Sequence, residues 1–129
     1  MIRRKSIFLE HTLAACLALA VPLLAHHGWA AFDSLKTITL KGTVKEFHFI
    51  NPHSVVEFAT KDSEGRVQDW EGELTSPSHL VPAGWSRNSL DQGDAVTITG
   101  YPAKNGSHVV RITRIVLANG KELKMGSID

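Results

Sequence analysis

Five short β-forming runs, each closed by a turn cluster, fill residues 37 to 117 and leave room for little except a small all-β fold. In the first, Thr37–Ile50, the residues Ile38, Leu40, Gly42 and Val44 alternate with Thr39, Lys41 and Thr43. The phase slips near Lys45–Phe47, as at a bulge in a strongly bent strand. Val55–Thr60 and Val67–Leu74 follow, separated by the turn formers of Lys61–Gly65. Ser76–Gly84 carries two prolines and suits a connector with a helical turn near Ser78–Val81. Leu90–Asp94 turns the chain into a fourth strand, Ala95–Tyr101, and Lys104–Ser107 is a hairpin signal before a fifth, Val109–Leu117. Ala118–Lys121 turns into a short closing strand at Glu122–Lys124. The pattern predicts a five- to six-stranded Greek-key barrel of the oligonucleotide/oligosaccharide-binding (OB) type, whose closure hides its strand edges. A small β-sandwich is the alternative.

The chain begins with a different kind of segment. Arg3, Arg4 and Lys5 precede the uncharged block Leu13–Leu24, and Ala25 follows it. A block of 12 residues is short of the roughly 20 that span a bilayer and within the roughly 7–15 of a secretory leader. Residues 1–25 therefore read as a signal peptide and 26–129 as a single exported domain, periplasmic or secreted, with no stable membrane anchor. Cleavage after Ala30 is the competing position. Leu13-Ala14-Ala15-Cys16 spells a lipoprotein box, but its apolar block lies mostly after the cysteine, which argues against lipidation. Cys16 is the one cysteine, so the exported domain has no disulfide and must rely on its core.

Loss of residues 1–25 leaves 11 Lys+Arg against 12 Asp+Glu. That balance argues against nucleic acid as a partner, because phosphate binding needs an excess of positive charge. No nucleophile elbow, phosphate-binding glycine loop or His-Glu-x-x-His motif is present, and no catalytic constellation is expected.

Residues 26–124 nevertheless carry a recognisable series. It comprises His26-His27-Gly28-Trp29-Ala30-Ala31-Phe32-Asp33, Leu40-Lys41-Gly42-Thr43-Val44, Asn51-Pro52-His53, Trp70-Glu71-Gly72-Glu73-Leu74, Ser76-Pro77, Gly84-Trp85, Ser89-Leu90, Gly93-Asp94, Thr97–Gly100 and Pro102–Ser107. The series resembles the domain-of-unknown-function family numbered 6152, small exported bacterial proteins. Gly28 and Trp29 stand where that family often has Ser and Phe. The resemblance implies a periplasmic OB-like domain and carries no activity with it.

Chemistry is best sought in the seven histidines. After cleavage at Ala25, His26 owns both an α-amine and an imidazole. These can chelate one ion in a six-membered ring, with a further histidine completing a brace that suits copper. His27 and His53 are the further candidates. Pro52 restricts Asn51 and stiffens the turn that carries His53. His48, between Phe47 and Phe49, points outward if those rings point in, and is a weaker candidate. Glu71 and Glu73 share one face of the third strand, a solvated face by default, from which a carboxylate can orient an imidazole. His79 and His108 fall in loops and are expected to be solvated. Trp29, Trp85 and Tyr101 are read as core and rim packing rather than a stacking platform. Two functions follow as expectations. One is a metal-binding protein, copper being the ion, in a carrier, buffer or sensor role. The other is a non-metal binding module whose barrel face takes a peptide, a saccharide or a protein partner in the envelope.

Overall fold

The computed structural model describes residues 28–126. Six strands form one sheet: β1 (Ile38–His48), β2 (Val55–Lys61), β3 (Val67–Glu73), β4 (Ala95–Pro102), β5 (Val109–Leu117) and β6 (Glu122–Leu123). Their order is β3-β2-β1-β4-β5-β6, and β3 pairs again with β5, in parallel. That second pairing closes β1 to β5 into a barrel of the expected OB type, with β6 as an extra strand on β5. None of the helices among the described residues is long and apolar enough to cross a membrane.

Closure depends on β1, which is long enough to serve two neighbours. Ile38–Thr43 pairs with β4, and Gly42–His48 pairs with β2. The register slips between Val44 and Glu46, where the sequence loses its alternation. The extra residue, Lys45, lets the strand bend while Val44 and Phe47 both stay on the core side.

Alternation then fills the interior. Val56 and Phe58 of β2, Val96 and Ile98 of β4, and Val110, Ile112 and Ile115 of β5 are buried. Between β3 and β4 the prolines allow only a short helix, α1 (Pro77–Leu80), which runs into a 3₁₀ turn at Val81–Ala83. Leu80 and Trp85 of this connector join the core, and the Trp85 indole donates a 2.7 Å hydrogen bond to the Lys124 carbonyl. Gly72 faces inward, where a Cβ would lie 3.0 Å from Ile112 Cγ1 and closer still to its Cδ1. The glycine lets β3 and β5 approach at the closing seam.

The β2–β3 turn is organised by one carboxylate. Asp62 accepts hydrogen bonds from the backbone N–H groups of Glu64 and Arg66 and from Arg66 Nε, at 2.8–2.9 Å. The Arg66 side chain, and then its backbone N–H, holds the Asp62 carboxyl below its ordinary value of 3.8. A depressed acid stabilises the fold fully above its unfolded pKa and loses that contribution as pH falls through its folded one. Asp62→Asn is therefore expected to lower the melting temperature at pH 7 and to leave it nearly unchanged near pH 2. An equal loss at both pH values, in thermal melts, would remove the charge from this account.

Candidate functional site

The first described residues do not trail away from the barrel. Trp29–Ala31 forms a 3₁₀ turn, and Phe32 is buried in an isolated bridge to Ala103. Asp33 donates its N–H to the Pro102 carbonyl and Lys104 donates to Ala31, each at 2.9 Å. The segment Trp29–Asp33 is thereby fastened to the end of β4.

This arrangement sets the Trp29 ring over the Arg111 guanidinium, 4.5 Å from it. Val110 and Ile112 face the core, so Arg111 between them faces out of the barrel. Glu73 also faces out, because Gly72 before it faces in. Both side chains are nevertheless about 7% exposed, with Arg111 Nη1 3.8 Å from Glu73 Oε2. Arg111 also donates to the Leu74 carbonyl at 3.3 Å. Burial pulls the guanidinium below its ordinary basicity, and the Glu73 carboxylate opposes that shift. The expected solvated face of β3 is thus split. Glu71 is exposed, but Glu73, one step nearer the β1–β2 turn, is sealed beneath the outside of the β3–β5 seam.

His53 approaches the same end. It is half-buried and follows the cis Asn51–Pro52 bond. Its neighbour Ser54 is fully buried, donates its N–H to Thr75 at 3.0 Å, and accepts from Leu74 N–H at 2.8 Å. Leu74 is therefore held by Arg111 on one side and by Ser54 on the other. His26 and His27 lie outside the described residues.

The remaining candidates are dispersed. His48 lies on the outer face of β1, with Nε2 2.9 Å from Glu57 Oε1 and 3.8 Å from Glu46 Oε2. His79 Nδ1 is 3.1 Å from both Thr75 Oγ1 and Ser76 Oγ. His108 is exposed but not merely solvated, since its ring stacks on Trp70 at 4.7 Å. Trp85 is core, as expected, while Trp29 is half exposed and covers an ion pair.

Arg111 is the residue that sequence reading passed over. Its signal was available: a lone charge in the apolar stretch Val109–Ile112. Glu46 and Glu57 were missed for another reason, because the bulge decides which face they share. No curated protein and no solved structure matches the chain. The family model that does match, over residues 14–111, places this chain in the family of unknown function DUF6152, to which it belongs.

Proposed function

We propose that this is an exported metal-binding protein, with copper as its ion and the metal held at the start of the chain left once residues 1–25 are removed. His26 supplies the α-amine and its imidazole, and His27 and His53 supply the further nitrogens. Amine and imidazole donors rank Cu(II) above the other first-row divalent ions. A carrier, buffer or sensor role follows from a site of this kind.

The observation that carries the reading is the docking of Trp29 on Arg111. Arg111 bonds Leu74, and Leu74 bonds the residue after His53. Two peptide units separate His27 from Trp29, a covalent reach of roughly 7 Å. A chain start pinned at this end of the barrel favours a ligand set drawn from both sides of it.

Binding would release protons from the amine and the imidazoles, so affinity should fall as pH drops below roughly 8 and then 6.5. Copper titration of protein beginning at His26 tests the reading. Loss of an outer-shell partner commonly costs about 10–100-fold in metal affinity. His53→Ala, or one residue added before His26, should therefore weaken binding at least about tenfold, while His79→Ala and His108→Ala should leave it alone. Equal affinity throughout, or an intact mass showing that the exported protein starts at Ala31, would sink this reading in favour of the barrel-face interaction module.

A further inference from the structure

We infer that the outer face of the β1–β2 hairpin carries a second metal site, in which Glu46, His48 and Glu57 together take a divalent transition-metal cation. The site uses neither the amine nor His26, His27 or His53.

Three features of the hairpin converge on it. The first is the bulge. Val44 opposes Phe58 on the core side, but after the slip Glu46 opposes Glu57 and His48 opposes Val55. Without the extra residue, Glu46 and His48 would fall on the other face. With it, both join Glu57 outside the barrel, so the irregularity that bends β1 also assembles the donor set.

The second feature is donor spacing. The three ligand atoms lie within 4.8 Å of one another. Tetrahedral zinc with bonds of about 2.0–2.2 Å requires ligand atoms roughly 3.3–3.5 Å apart. The separations from His48 Nε2 are 2.9 Å to Glu57 and 3.8 Å to Glu46, on either side of that value, and small side-chain rotations reconcile them.

The third is charge and access. Lys45, the cation adjoining Glu46, is drawn off by Asp69 at 3.0 Å. The imidazole thus faces two carboxylates that, among the described residues, no lysine neutralises. His48 is half-buried and Glu46 exposed, so water can complete the coordination sphere, as in an open three-ligand site. All three residues stand on paired strands, which hold ligands more rigidly than a loop does.

Zinc chloride alone is the probe, because Zn(II) needs no oxidant or reductant and accepts this donor set. The experiment follows the His48 imidazole by NMR during zinc titration of the exported form. The His48 ring signals should shift and saturate, and Glu46→Gln or Glu57→Gln should weaken that response at least about tenfold. Both substitutions keep side-chain shape on the outer face, so folding is not at stake. His53→Ala and an added residue before His26 should leave the His48 response unchanged, even where they abolish copper binding. An unmoved His48 ring, or equally tight zinc binding when both glutamates are Gln, would overturn the site and reduce the cluster to a surface ion pair. Failure of the N-terminal copper site alone would leave it standing.

Discussion

Replacing Arg111 with methionine is expected to destabilise the barrel by about 3–5 kcal/mol, the usual cost of removing one partner from a buried ion pair. Methionine retains much of the volume beneath Trp29, so the loss would come chiefly from electrostatics. Glu73 would lose the cation that faces it at 3.8 Å, at a position about 7% exposed. The Leu74 carbonyl would lose a donor as well. Adding Glu73→Gln to Arg111→Met should recover part of the loss, because the carboxylate left behind carries much of the penalty. Urea denaturation of the two single variants and the double variant measures this coupling. A loss below about 1 kcal/mol for Arg111→Met, typical of an exposed pair, would mean that the seam is solvated.

Gly100→Ala should be comparably damaging, for a reason that involves no charge. At Gly100 the β4–β5 register shifts, and a Cβ there would overlap the backbone carbonyl of Arg111. Overpacking commonly costs about 1–3 kcal/mol where side chains can move aside. A backbone carbonyl within a closed barrel has little such freedom, so about 3 kcal/mol or more is expected. Gly93 is the control. Its φ is +93° and nothing lies within 4 Å of its would-be Cβ, so Gly93→Ala should cost only the left-handed penalty of about 1–2 kcal/mol. Denaturant midpoints that rank Gly93→Ala at or above Gly100→Ala would contradict the close-approach argument.

Arg111→Met and Gly100→Ala both act where β5 passes between β3 and β4, and it is there that sequence reading reached its limit. Alternation in Val55–Thr60 and Ala95–Tyr101 located β2 and β4 within a residue or so, because a strand with one buried face must alternate. The lost alternation at Lys45–Phe47 marked the bulge for the same reason. Two prolines in Ser76–Gly84 limited the connector to little more than a helical turn. These features are local: each follows from a period of two, a turn former or a missing N–H, and neighbouring residues suffice to reveal them.

The surroundings of each side chain were another matter. Glu71 and Glu73 have the same sequence environment and the same parity, yet one is exposed and the other sealed. What separates them is the parallel pairing of Glu73 with Arg111 and the Trp29 ring docked on that arginine, contacts made between residues dozens of positions apart. His48 likewise shows its outward direction in the sequence, and Glu46, two residues before it, shares that face by the period of two, but Glu57 meets them only through the shifted pairing of β1 with β2. Periodicity determined which strands this protein has and which way most of their side chains face. Strand pairing, completed by barrel closure, decided which outward-facing charges are buried and which meet across strands, because that depends on separate backbones brought together, and no period along the chain encodes it.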